Sequence, residues 1–336
     1  MSNHLKIHRA GPGVSVQDQG RSGWLDSGLS RGGAADRLAL AEAAALLGRN
    51  AGPAAIEMAG MGGEFEVSQD TRIALTGAPM QAALDGVKLA WNASHLMPAG
   101  ARLTIGAALT GTYGYLSFGG GLQAPEMLGA QSAHISAGVG RALQAGGTLP
   151  IGADAGDPTS LCLTPSDRFG GGTIRIVASF QTHLFPQETR DRFQAAGFRR
   201  DARGNRMGVR LESGGEEFPA EGGRTVLSEV IVPGDIQITG DGTPFVLLSE
   251  CQTTGGYPRI GTVLPCDLPR LAQAAPGAAL RFAFVSLEEA VELERADAKM
   301  RAGLPSAARP LIRDPRTIPD LLSYQLISGV TAGYED

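Results

Sequence analysis

Apolar and polar residues alternate along this chain in short runs, and glycine or proline cuts off nearly every one, as half-buried strands joined by tight turns require. Ala55-Ile56-Glu57-Met58, Glu64-Phe65-Glu66-Val67 and Arg72-Ile73-Ala74-Leu75 are three such runs, the last ended by Thr76-Gly77-Ala78-Pro79. Asp85-Gly86, set between Leu84 and Val87, predicts a two-residue hairpin turn. Gly100-Ala101-Arg102-Leu103-Thr104-Ile105, Gly146-Gly147-Thr148-Leu149-Pro150-Ile151 and Gly277-Ala278-Ala279-Leu280-Arg281-Phe282 echo one another. Each is a glycine turn entering a strand. The matches are too short for a true repeat, and they predict similar hairpins in an earlier and a later lobe.

Helical spacing is confined to a few stretches. Residues 35–47 carry a broad apolar face, with Asp36 in the first turn and Gly48 and Asn50 closing the helix. A short helix opens at Pro265-Cys266-Asp267, runs through Leu271 and is terminated by Pro276-Gly277. Ser286-Leu287-Glu288-Glu289 is a capping box that starts a charged helix reaching to about residue 302, before Gly303. Between these elements, residues 152–172 are rich in Asp, Gly, Pro and Ser without sustained period, which marks a linker. The expected organisation is a first lobe at 1–160, a second lobe at 161–300 and a C-terminal arm at 301–336 with an apolar patch at 321–330. The class is mainly β, with a few short helices.

Composition agrees: 48 glycines and 20 prolines among 336 residues show no fixed period and suit many turns. A net charge of −5 with no Lys/Arg run argues against a nucleic-acid-binding surface. The start lacks an apolar signal core, and no apolar run has membrane length, so a cytoplasmic protein is expected. Cys162, Cys251 and Cys266 are scattered, and the five histidines include no pair at ligand spacing, so neither a disulfide framework nor a metal site is expected. Gly119-Gly120-Gly121 and Gly170-Gly171-Gly172 lack the Gly-Lys-Ser/Thr ending of a phosphate loop.

What remains is a set of polar loop clusters. The most distinctive is Gln252-Thr253-Thr254-Gly255-Gly256-Tyr257-Pro258-Arg259-Ile260, which follows the apolar run Phe245-Val246-Leu247-Leu248. Taken alone, it reads rather as a satisfied glycine turn after a buried strand; the rest of the chain shifts the balance. The others are Gln17, Asp18 and Arg21; Asp36; Arg206 and Arg210; and Glu229 and Gln237. Asp18 and Arg21 could form a local ion pair, and Arg206 and Arg210 could be solvated. Amide, hydroxyl and guanidinium groups without a matched acid–base pair suit recognition of a planar amide, ureido group or carboxylate more than unaided hydrolysis.

Taken in order, these segments resemble the biotin-dependent carboxyltransferase family (carboxyltransferase subdomain A/B, also called allophanate hydrolase subunit 2). The resemblance rests on Gly11-Pro12-Gly13 with Gln17-Asp18-Gln19-Gly20-Arg21, Gly33-Ala34-Ala35-Asp36, Ala55-Ile56-Glu57, Gly119-Gly120-Gly121 and Gly140-Arg141. In the second lobe it rests on Arg206-Met207-Gly208 with Arg210-Leu211, Ser228-Glu229, Pro233-Gly234-Asp235-Ile236-Gln237, residues 252–258, Ala272-Gln273 and Pro276-Gly277. Departures are Ser179-Phe180 ahead of Gln181, Gly129-Ala130-Gln131-Ser132-Ala133, and Glu250 where the family has an aspartate.

The resemblance implies two tandem cyclophilin-like β-barrel lobes. It also implies work beside a smaller partner, the B subunit (allophanate hydrolase subunit 1-like). In 5-oxoprolinases the A subunit joins them, and the complex opens 5-oxoproline to glutamate with ATP. Without a biotin carboxylase region, a biotinyl segment or an amidase signature, the chain is expected to be the C subunit of such a complex. A carboxyltransferase acting on urea or a related amide, with biotin on a separate carrier, is one alternative. A non-enzymatic binder of a kinase-inhibitor-like B subunit is the other. Gln252, Thr253, Thr254 and Tyr257 are the expected substrate contacts, faced by Gln17, Asp18 and Arg21. Asp36, Arg210, Glu229 and Gln237 are second choices.

Overall fold

A computed structural model describes residues 3–312 apart from 50–53, 155, 157 and 222–225, together with 316 and 320. The fold is mainly β. In the first lobe a six-stranded sheet runs Thr148–Pro150, His4–Ala10, Gly63–Val67, Arg102–Ala108, Met80–Leu84, Val87–Lys88. A seven-stranded sheet runs Ser15–Gln17, Ala55–Ala59, Tyr113–Phe118, Thr71–Gly77, Ala93–Met97, Leu161–Cys162, Arg309–Pro310. Alternate residues of both sheets, among them Leu5, Ile7, Phe65, Ile73, Leu103, Leu116 and Phe118, meet in one buried core.

The second lobe is a closed barrel of seven strands: Gly172–Val177, Arg259–Val263, Asp235–Ile238, Pro244–Leu247, Gly208–Glu212, Phe198–Arg200 and Ala279–Phe284, the last pairing in parallel with the first. Phe193, Phe198, Phe218 and Phe282 fill it with ring centroids 5.0 to 5.7 Å apart. Phe193 comes from helix α2, which is numbered after α1 (Arg37–Leu46) and spans Gln187–Ala195. Each buried ring contributes about 1.5–3 kcal/mol by leaving water.

The two lobes share a core. From the first lobe, Ala39 and Leu40 of α1 and the sheet residues Tyr113 and Tyr115 join the barrel cluster of Ile174, Val209, Ile236 and Leu271. Further along α1, Ala43, Leu46 and the C-cap Leu47 cluster with Leu163, Leu304 and Ala308. The last two helices are α3 (Leu268–Gln273) and α4 (Leu287–Ala307). Ser286 caps α4, its Oγ accepting from the Glu289 amide.

Several boundaries move from those read in the sequence. Asp36 is the N-cap of α1, accepting from the Ala39 amide, and so precedes the helix. α4 continues past Gly303 and Pro305 because Leu304 has the α1 face to pack on, and Pro305 in the last turn removes only one amide donor. The linker carries Leu161–Cys162, which pairs with Ala93 and with Arg309–Pro310, so part of the C-terminal arm returns to the first lobe. Asp85-Gly86 forms the two-residue turn, with both φ positive and Leu84 opposite Val87. The three echoing glycine segments do enter strands after a positive-φ glycine, but their strands pair with distant ones and make no similar hairpins. Asn50 and the patch at 321–330 lie outside the described residues.

Candidate functional site between the lobes

Glu57 lies in the middle of the strand Ala55–Ala59, directly opposite Tyr115 on the neighbouring strand. Residues opposite each other in an antiparallel pair share a face, so the Tyr115 hydroxyl reaches Glu57 Oε2 at 2.7 Å. The same oxygen accepts the Ala35 amide at 2.8 Å. Arg206 crosses from the second lobe and donates through Nη1 to Glu57 Oε1 and through Nε to Glu250 Oε1 at 2.6 Å. Its Nη2 donates to the Gly33 carbonyl at 2.6 Å and to Gln17 Oε1 at 3.2 Å. One guanidinium therefore fastens three first-lobe groups to the end of a barrel strand. Burial works against its charge, and Glu57 and Glu250 outweigh burial and raise its pKa.

Glu250 is buried and faces the first lobe on its other side. Its Oε2 accepts the Ser136 amide at 3.0 Å and stands 3.8 Å from His134 Nδ1. His134 Nε2 lies 2.8 Å from Ser30 Oγ. Burial penalises the Glu250 charge, but Arg206, the Ser136 amide and His134 prevail and lower its pKa. Burial lowers the pKa of His134 as well, against Glu250 and with help from Arg21 and Arg206.

A pH dependence follows. Where the folded pKa of a histidine lies below its unfolded value near 6.5, the unfolded chain binds the proton first, and stability falls as pH drops below that value. Lowering the pH from 7.5 to 5.5 should reduce the melting temperature of the wild type more than that of His134→Gln. The slope left in the variant is supplied in part by His95, which burial shifts in the same direction. Equal slopes in thermal melts would assign the acid sensitivity elsewhere.

Beside this network a cleft of about 510 Å³ opens between the lobes. Thr112, Tyr113 and Ser136 line it from the first lobe, and Arg200, Arg206 and Glu250 from the second. Two residues past Glu250 the chain leaves the cleft as the Gln252–Tyr257 loop. There Thr254–Gly255 pairs with Glu229–Val230, and the Ile231 amide donates to the Thr253 carbonyl at 3.0 Å. Gly255 lies close to the Gln237 amide: a Cβ on it would come within 2.6 Å of Gln237 Nε2, which would have to move aside. Arg259, at the loop's end, donates to Glu229 at 2.6 Å and to Asp235 at 3.3 Å.

The residues singled out from the sequence fall into three groups. Thr253, Thr254, Glu229 and Gln237 are brought together with Gln252 and Tyr257 at the barrel edge. The side chains of Gln252, Thr254 and Tyr257 are exposed there and spend no hydrogen bond within the described residues. Gln17, Asp18 and Arg21 are gathered on the first lobe, and their side chains hold protein groups. Gln17 takes Arg206, Ser15 and the Ala133 carbonyl. Asp18 takes the Gly20 and Gln131 amides, and Arg21 takes the Ser132 carbonyl. Asp18 and Arg21 form no direct ion pair. Arg210 pairs with Asp201 at 2.9 Å. The Asp36 carboxylate is fully buried on Arg168 and Gln273, while its amide donates to the Tyr115 hydroxyl.

Glu57, Tyr113, Tyr115, Ser136 and Arg200 were not among the residues singled out for the site. The available signal was Glu57: a carboxylate inside an otherwise apolar strand needs a buried cation. The Gly119-Gly120-Gly121 triplet is no phosphate cradle, because Gly120 lies against the Gly152 carbonyl and Gly119 against Asp154.

Residues 27–284 match the family model described as carboxyltransferase domain, subdomain A and B. The chain is similar to the C subunit of 5-oxoprolinase from Escherichia coli, 36% identical over 86% of this chain and 93% of that protein. Among solved structures, TTHA0988 superposes with a TM-score of 0.77 at 30% identity, covering 83% of this chain and 55% of that one, so this chain spans about half of it. The K. lactis urea amidolyase gives a TM-score of 0.81 at 24% identity over 93% of this chain and 21% of that one, a likeness of fold.

Proposed function

The chain belongs to the carboxyltransferase domain, subdomain A and B, family, and on that premise we propose that it is the C-type component of a 5-oxoprolinase. In this reading it works with the A and B subunits and ATP to open 5-oxo-L-proline to L-glutamate in the cytoplasm. One observation carries it: the match to the E. coli C subunit extends over 93% of that protein, whereas the urea amidolyase likeness takes in 21% of a much longer chain. The inter-lobe cleft is an open, mostly apolar concavity into which Arg200, Arg206, Tyr113 and Glu250 set a few polar groups, the kind of site that binds a small amide substrate. At its margin the exposed side chains of Gln252, Thr254 and Tyr257 would meet substrate or the B subunit.

The test is co-expression with the A and B subunits, followed by measurement of glutamate released from 5-oxoproline with and without ATP. ATP-dependent release from the intact complex, lost when this chain is omitted, is expected. An intact complex that releases none, or that moves a carboxyl group from a carboxybiotin carrier to urea instead, overturns the reading. Within it, Tyr257→Phe has a defined outcome. The side chain is 43% exposed and its hydroxyl holds no described partner, so stability should change by less than about 0.5 kcal/mol. Loss of one substrate hydrogen bond should lower glutamate release by roughly 2- to 10-fold. A melted protein would make the phenol structural.

A further inference from the structure

Five arginines with almost fully buried side chains illustrate what burial of this group demands. Arg72 has Asp154, Arg168 has Asp36 and Glu42, and Arg259 has Glu229 and Asp235, each within 4 Å. Among the described residues Arg21 has no carboxylate that close, but Asp18 and Glu250 both support its charge. Arg200 is the exception. It is 3% exposed, and among the described residues no acid lies within salt-bridge distance of it. Burial lowers its pKa, and the only group opposing that shift is the Tyr113 phenol. A buried guanidinium without a counter-ion is expensive unless a ligand supplies one.

The geometry shows which edge lacks a protein acceptor other than the Tyr113 phenol. Arg200 Nη1 is spent inside the protein, donating to Thr112 Oγ1 at 2.6 Å and to the Ala272 and Ala274 carbonyls. Nε is buried with no hydrogen-bond partner among the described residues. Nε and Nη2 form the side-on fork that takes a carboxylate bidentately. Beside that edge the chain carries Gly204, whose missing Cβ would stand 3.2 Å from Nη2 and 3.4 Å from Nε. Gly204 has no positive φ to explain the glycine. Both residues line the inter-lobe cleft with Tyr113 and Thr112.

We propose that the Nε/Nη2 edge of Arg200, kept open by Gly204, is the receptor for a carboxylate of the molecule bound in the inter-lobe cleft. Nη1 holds the guanidinium against the start of the 274–277 turn, and the carboxylate provides the missing counter-charge. The Tyr113 hydroxyl, between Arg200 and the Arg206–Glu57–Glu250 network, stands where the rest of the ligand must lie. Resting on the 5-oxoprolinase reading, the ligand is the lactam acid, and the neutral amide urea lacks the group this edge recognises.

The test is binding to the full chain of three probes: 5-oxo-L-proline, 2-pyrrolidone (the same lactam without the acid) and urea. Calorimetry or ligand-observed NMR reads it. The acid should bind at least tenfold more tightly than either neutral probe. Gly204→Ala, which crowds both nitrogens while leaving the Nη1 bonds in place, should weaken the acid at least tenfold and leave the melting temperature nearly unchanged. Arg200→Lys should do the same to binding if it folds; Gly204→Ala decides the matter if it does not. Equal binding of acid and neutral lactam, or a Gly204→Ala variant that binds the acid as wild type does, overturns the receptor. A complex that makes no glutamate while the chain still binds carboxylates through Arg200 overturns the functional reading and leaves the receptor standing.

Discussion

Arg206→Met should destabilise the protein by about 3–5 kcal/mol, because it leaves two buried carboxylates facing each other without their cation. Glu57 and Glu250 have side chains 3% and 2% exposed, and Arg206 bridges them while also holding Gln17 and the Gly33 carbonyl. Urea denaturation at pH 7 measures the loss. Because the bridge joins the two lobes across their shared core, the loss should fall on the cooperative transition of both. A triple variant that adds Glu57→Gln and Glu250→Gln should recover much of the stability, since neutral amides of the same shape carry no buried charge. A single substitution costing under about 1 kcal/mol would mean that water reaches the carboxylates, and the network would then be no structural clamp.

That bridge also shows how far the sequence could be followed. Local chemistry was legible wherever it acts over a few residues. The Asp85-Gly86 turn, the Ser286 cap and the glycine entries to strands are each decided by neighbours in the chain. Glu57 with Arg206 is separated by 149 positions and Glu250 with Ser136 by 114. No periodicity links such residues; only the docking of barrel onto sheet does. Arg206 was visible as a polar residue in a loop, and a solvated side chain was an equally good account until its four acceptors were seen. Family resemblance supplied the architecture. It could not separate residues that hold the scaffold, such as Gln17, from residues whose side chains are left exposed, such as Tyr257.

Asp36 makes that distinction testable through its partner. Arg168, from the linker, donates through Nε to Asp36 Oδ2 at 2.7 Å and through Nη1 and Nη2 to the two oxygens of Glu42 at 2.8 and 2.7 Å. All three side chains are at most 5% exposed. Arg168→Met strands Asp36, the N-cap of α1, and Glu42 in its middle, and should cost about 3–5 kcal/mol at pH 7.5. The deficit should depend on pH with a known sign. Burial already raises the Glu42 pKa while Arg168 opposes the shift; without Arg168 the folded value rises further. A carboxyl whose folded pKa lies above its unfolded one takes up a proton on folding as pH falls, which stabilises the folded state relative to its value at high pH. The stability gap between Arg168→Met and wild type should therefore narrow as pH drops from 7.5 towards 5. Acid effects common to both proteins, including that of His134, cancel in the difference. Glu42→Gln in the Arg168→Met background should both restore stability and flatten the pH dependence. A gap that stays constant across that range would show that the stranded carboxyls remain hydrated and ionised, and the burial of this triad would have to be reconsidered.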